Sequence, residues 1–158
     1  MSAMSPQEGA LNLLRNCAGA KPGDSLLIAY EPPSHGYFDA EVVGIVEGAA
    51  RACGLSVETV DVGFNPDDPV LTPHLLERMA AADIILFLAR LGDQLRFSQM
   101  PSEKTIVVSY ALSRAAFGSG FANAHHGAFL AIKAAVNAAL AHARSLRVTC
   151  PLGTDIEG

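Results

Sequence analysis

A chain of 158 residues, 50% hydrophobic and 17% charged, is long enough for one domain that buries roughly 68 to 70% of its unfolded surface. It is nevertheless more apolar than such a domain conceals unaided, which points to a further domain or subunit. The formal charge of −5, with no basic cluster and no Trp, excludes the electrostatic footprint and stacking platforms of a nucleic-acid binder.

The start MSAMSPQEG has no apolar signal core, and no window approaches the roughly 18 to 20 apolar residues of a membrane span, so a cytoplasmic protein without membrane contact is expected. Ser5, Pro6, Gln7 and Glu8 spell a capping box with Pro at the first helical position. The helix they open is expected to run to about residue 18, with Ala10, Leu11, Leu14, Cys17 and Ala18 buried and Gly19 as its stop. Next comes KPGDSLLIAYE, a Pro-Gly turn, a polar step and an apolar run without alternation, which predicts residues 25–30 as a central strand buried on both faces. In an open α/β sheet ligands bind beyond the carboxyl ends of the strands, which puts Tyr30, Glu31 and the loop 32–37 at any site.

Phe38, Val42, Ile45, Ala49 and Cys53 recur at helical spacing and predict a crossover helix ending at Gly54, with Glu47 and Arg51 paired outside. Residues 55–62 (LSVETVDV) alternate and carry Glu58 and Asp61, the pattern of an edge strand, and 63–69 is a turn. Thr72 and Pro73 open a third helix with Leu75, Leu76 and Met79 inward, followed by a second interior strand at 84–89 (IILFLA). The polar stretch 90–103 reads as a long loop, and long loops in compact domains often carry function. A fourth strand is expected at 105–110, a short helical turn within 111–123, and an Ala-rich helix over 124–143 with Phe129, Ile132, Val136 and Leu140 on one stripe. Residues 146–150 read as a fifth strand and 151–158 as a turn.

This order gives a single α/β domain over residues 1–158, three-layered and Rossmann-like, with a mainly parallel sheet of about five strands and helices on both faces. Cys17, Cys53 and Cys150 are odd in number and form no Cys-x-x-Cys, so they read as buried small hydrophobes in a reducing compartment.

Neither G-x-G-x-x-G nor a Walker pattern follows the first strand, which disfavours a dinucleotide or NTP site, and no Gly-x-Ser-x-Gly elbow supports a nucleophilic hydrolase. Three groups of polar residues remain. Glu31, His35, Tyr37 and Asp39 lie near a helix start, where a plain solvated loop is the bland alternative. Arg90, Asp93, Arg96 and Ser98, with Ser109 and Tyr110, are able to hold a small carboxylate through an Arg fork, or else to pair among themselves and with water. His125 and His126 open the long helix but point about 100° apart, so they cannot chelate one ion as an i, i+4 pair does, and packing or capping is the simpler role. The ligand-binding candidates are therefore Glu31, His35, Arg90, Asp93, Ser109, Tyr110 and His125; no catalytic or metal-ligating residue is assigned.

The closing segment RVTCPLGTDIEG, read with Pro22-Gly23-Asp24, Gly54 and Ala82-Asp83 before successive strands and the helix after His125, resembles the amino-terminal domain of the aminopeptidase T type of leucyl aminopeptidase. Ring-cleaving dioxygenases acting on dihydroxypyridines look similar here, and Gly153-Thr154-Asp155 is the most specific of these motifs. The resemblance implies a divalent-metal enzyme whose Glu, His and Asp ligands lie in a carboxyl-terminal domain beyond that turn. This chain is then expected to be inactive alone, without a cofactor of its own, and completed by such a domain or by a homo-oligomer. Two other readings stay open: a free-standing small-molecule module using Glu31, Arg90, Ser109 and His125, and a self-association domain.

Overall fold

The computed structural model describes residues 5–97, 100–101 and 103–158. It comprises two compact units, residues 1–124 and 125–158. In the first, Ser5 caps helix α1 (Pro6–Asn12): its side chain accepts from Gln7 N–H at 3.2 Å while the Glu8 carboxylate accepts from Ser5 N–H at 3.2 Å. The expected continuation to residue 18 is a wider π turn, Leu13–Cys17.

Strand β1 (Ser25–Tyr30) leads through helix α2 (Glu41–Ala52) to β2 (Ser56–Asp61), with Gly54 at φ +76° ending the helix as its sequence position required. Thr72 caps helix α3 (Pro73–Ala81) by accepting from Leu75 N–H at 3.2 Å. Strand β3 (Ile84–Leu88), helix α4 (Arg90–Leu95), strand β4 (Thr105–Val108) and helix α5 (Arg114–Phe117) complete the unit. The four strands form a parallel sheet in the order β2-β1-β3-β4, so the two unalternating apolar runs are the interior strands and the Glu58/Asp61 strand is an edge.

Alternate residues of the interior strands feed two cores. Leu26, Ile28, Ile84 and Leu86 pack with Leu14, Val42, Val46 and Phe117 on one face, while Leu27, Ala29, Ile85 and Phe87 pack with Leu75, Met79, Leu91 and Leu95 on the other. Helices thus cover both faces, which gives the expected three layers. Close approach shapes both: a Cβ at Gly9 would lie 2.0 Å from the Phe117 carbonyl oxygen, and one at Gly92 would lie 2.5 Å from Phe87 Cβ.

The second unit holds helix α6 (His126–Leu140) and an antiparallel hairpin of β5 (Arg147–Thr149) and β6 (Asp155–Glu157). Four expectations are corrected. The fifth strand pairs in this hairpin rather than in the parallel sheet, and residues 151–158 hold a strand as well as a turn, because Gly153 at φ +104° reverses the chain and brings Asp155 back opposite Thr149. The stretch 90–103 begins with α4, whose Leu91 and Leu95 are buried at i, i+4 spacing; its Ser98 lies outside the described residues. Of the cysteines only Cys53 is buried; Cys17 sits on the outer side of the π turn and Cys150 at the hairpin. Among the described residues no helix is long and apolar enough to cross a membrane.

The interior strands are joined at their amino ends by a reciprocal clasp. The Asp83 carboxylate accepts from Ser25 N–H at 2.9 Å and from Ser25 O–H at 2.7 Å, while Asp83 N–H donates to Ser25 Oγ at 3.0 Å. These Ser25 donors hold the Asp83 carboxyl below its ordinary range. A lowered folded-state pKa contributes stability that is present above the ordinary carboxylate value and lost as pH falls through the folded value. Asp83→Asn is therefore expected to flatten the acid side of the stability profile below about pH 5, measured by urea unfolding. Identical slopes for the variant and the parent would remove the clasp from the account.

Candidate functional site

The carboxyl ends of all four parallel strands bring a polar cluster together. Glu31 directly follows β1, and its backbone N–H extends the ladder by donating to the Leu88 carbonyl at 2.9 Å. This leaves a carboxylate 1% exposed at the top of the core. A buried charge of this kind persists only when paired and hydrogen-bonded. Arg90, the first residue after β3 and Ala89, meets that demand three ways: its backbone N–H donates to Glu31 Oε2 at 3.3 Å, its Nε to the same oxygen at 3.0 Å, and its Nη2 to Oε1. The resulting fork is bidentate and charge-assisted, and Glu31 holds the guanidinium above its already high pKa.

Two aromatic rings flank the same guanidinium. Its central carbon lies 3.3 Å from the Phe64 ring centroid and 4.6 Å from that of Tyr37. Tyr37 arrives on the loop after β1, past a 3-10 turn at Pro33–His35, and the loop is tied down by Asp39 N–H donating to the Leu112 carbonyl at 2.9 Å. Phe64 arrives on the turn after β2, where Gly63 at φ +59° donates its N–H to Asp61 Oδ1 at 2.8 Å. Sequence reasoning missed Phe64; the available signal was an aromatic residue in a Gly/Asn/Asp turn at the ligand-side end of an edge strand.

A second chain of contacts lies further out. Tyr110 O–H donates to Asp93 Oδ1 at 2.5 Å and accepts from Arg96 Nη1 at 3.1 Å, and Arg96 also pairs with Asp93 at 3.3 Å. Donation to Asp93 pushes the Tyr110 phenol above its ordinary pKa, so it remains a protonated donor at neutral pH. Ser109 is buried and its Oγ accepts from Ala111 N–H at 3.3 Å.

Among the seven predicted ligand-binding residues, Arg90, Asp93, Ser109 and Tyr110 line one crevice of about 20 Å³, with Glu31 directly behind Arg90. That volume holds about one water molecule. His35 is exposed in the 3-10 turn, where its N–H donates to the Pro32 carbonyl at 3.0 Å. His125 belongs to the second unit, where its Nδ1 caps α6 by accepting from Ala128 N–H at 3.3 Å. Among the described residues no three His, Cys, Asp or Glu side chains gather as a metal centre needs.

If the fork is a brace, breaking one side of it is costly while replacing both sides is not. Arg90→Ala leaves the Glu31 carboxylate buried without its fork and is expected to cost about 3 to 5 kcal/mol, lowering Tm by roughly 10 °C. The double replacement Glu31→Leu with Arg90→Met is expected to recover most of that loss in thermal melts. A double variant no more stable than Arg90→Ala would sink the brace.

No protein-family model and no curated protein matches the sequence. Among solved structures, the chain is similar to the 2,5-dihydroxypyridine dioxygenase of Pseudomonas putida KT2440, with a TM-score of 0.57 and 17% identity. The match covers 96% of this chain and 46% of that one, so the chain spans about half the length of the solved structure it resembles. The likeness establishes a shared fold: an α/β domain with a four-stranded parallel sheet, flanking helices and a small hairpin.

Proposed function

We propose that the chain acts as the α/β scaffold domain of a metalloenzyme of the aminopeptidase T and dihydroxypyridine dioxygenase type, and does not itself supply the catalytic metal centre. The observation that carries this reading is the occupied guanidinium of Arg90. That guanidinium is already forked to a buried Glu31 and lies against the rings of Tyr37 and Phe64, and Arg96 beside it is paired with Asp93 and Tyr110. An arginine so engaged fixes the ends of β1 and β3 and the two loops that bear on them. It is a poor lure for a free ligand, because a competing carboxylate would have to displace a partner that is itself buried.

The extent of the structural match supports the same reading, since nearly all of this chain lies on less than half of the dioxygenase chain. The aminopeptidase T connection rests on the Gly153-Thr154-Asp155 motif, whose Gly153 and Thr154 lie in the turn of the closing hairpin and whose Asp155 opens β6, accepting from Arg147 Nε and Nη2 at 2.7 Å. A catalytic zinc-type centre takes three protein ligands and an open position. Such ligands, in this proposal, come from a second half of the enzyme.

The test is to titrate the purified chain with Zn²⁺, Mn²⁺ and Fe²⁺ by calorimetry. Aminopeptidase activity is assayed on a leucine anilide, and oxygen uptake with 2,5-dihydroxypyridine. No saturable metal binding and no turnover are expected. Metal-dependent turnover of either compound, abolished by a chelator, would overturn the proposal.

A further inference from the structure

We propose that a cleft at the amino ends of β1 and β2 binds a small zwitterion, a free α-amino acid with a branched or single-ring side chain. The cleft encloses about 230 Å³, and every residue lining it belongs to the first unit. Strand register sets its floor. Leu27 of β1 stands opposite Glu58 of β2, and Ser25 opposite Ser56, so these four side chains share the sheet face that α3 covers. Helix α3 buries Leu75 and Met79 against that face, but its carboxyl end brings only the methyl groups of Ala81 and Ala82 to the cleft. The hollow is what those short side chains leave unfilled beside Leu27.

Two charged side chains line the cleft, Arg78 and Glu58, which pair with each other while remaining 42% and 43% exposed. The other ionic groups nearby are committed elsewhere: the Asp83 carboxylate holds Ser25, and Lys104 Nζ donates to the carbonyls of Ala80 and Ala82 at 2.8 and 2.9 Å. An ion pair so open to water contributes little to stability and separates readily, in contrast to Arg90 on its buried Glu31. A ligand of one charge would take one member and leave the other without a counter-ion. A zwitterion satisfies both, its carboxylate on the Arg78 guanidinium and its ammonium on the Glu58 carboxylate, while its side chain rests on Leu27, Ala81 and Ala82. Size narrows the choice. A cavity of about 150 Å³ takes one benzene and drug-sized ligands need roughly 300 Å³ or more, so the cleft suits an amino acid and is too small for a nucleotide. The cleft lies at the opposite end of the strands from Arg90, and it stands whether or not the chain serves a metalloenzyme.

The test is calorimetric titration of the full chain with L-leucine and L-phenylalanine to about 10 mM. Three truncated probes run beside them: hydrocinnamate, which lacks the ammonium, phenethylamine, which lacks the carboxylate, and glycine, which lacks the side chain. Saturable binding of at least one of the two larger amino acids is expected, with Kd of about 1 mM or below, and affinity about tenfold weaker or absent for the truncated probes. Ala81→Leu fills the hollow from an exposed helical position and is expected to abolish binding with the thermal melt unchanged. Arg78→Gln is expected to weaken binding about tenfold. Amide shift changes in NMR are expected to gather at residues 56–58 and 78–82, a readout that needs no variant. No saturable binding of either amino acid, binding untouched by both Ala81→Leu and Arg78→Gln, or a truncated probe that binds as tightly as the whole zwitterion would overturn the proposal.

Discussion

The upper edge of the first unit depends on one ion pair. Glu31 is carried into the core by the strand it follows, because its backbone N–H continues the β1–β3 ladder. An unpaired carboxylate there would be prohibitive, so the residue after β3 must answer it, and Arg90 does so with both backbone and side chain. From that requirement the surroundings follow. The helix α4 starts where Arg90 is held, and the loops after β1 and β2 close over the guanidinium with Tyr37 and Phe64. The cluster combines one buried anion, one cation and two aromatic shields, a composition suited to rigidity more than to exchange with solvent.

Local chemistry made much of the architecture legible. Runs without alternation announced β1 and β3 as interior strands because a strand covered on both faces has no polar side to show, and Glu58 with Asp61 marked β2 as an edge for the converse reason. Ser5 and Thr72 announced helix starts through hydrogen bonds that span only two or three residues. What stayed hidden was set by partners distant in sequence. Glu31 sits before two prolines and reads as the start of a loop; only Leu88 and Arg90, nearly 60 positions on, make it a buried anion. The short helix α4 escaped notice because its six residues include a glycine and three polar side chains, and Gly92 is there for clearance from Phe87 rather than for a turn.

The candidate site was half legible for the same reason. The rule that open α/β sheets present their ligand-facing residues past the strand ends does place Arg90, Asp93, Ser109 and Tyr110 around one crevice. It says nothing about whether those groups are already satisfied. Spacing likewise separated His125 from His126 and made packing or capping at the helix start the simpler role, and His125 does accept from Ala128 N–H as the cap of α6. The Gly-Thr-Asp segment reads as a motif in sequence and, in space, as the end of a hairpin turn and the first residue of β6, its aspartate neutralised by Arg147 across the strands.

The side-chain amide of Asn12 donates to the carbonyls of Ala122 and Ala124, at 2.7 and 3.0 Å. The first turns of the protein are therefore latched by the last residues of the first unit, across separations of 110 and 112 positions. At ordinary rates of synthesis of about 5 to 20 residues per second, Asn12 leaves the ribosome roughly 5 to 20 s ahead of its latch. Its helix must spend that interval resting on neighbours made earlier, so the opening segment of the chain is among the last to be secured during biogenesis.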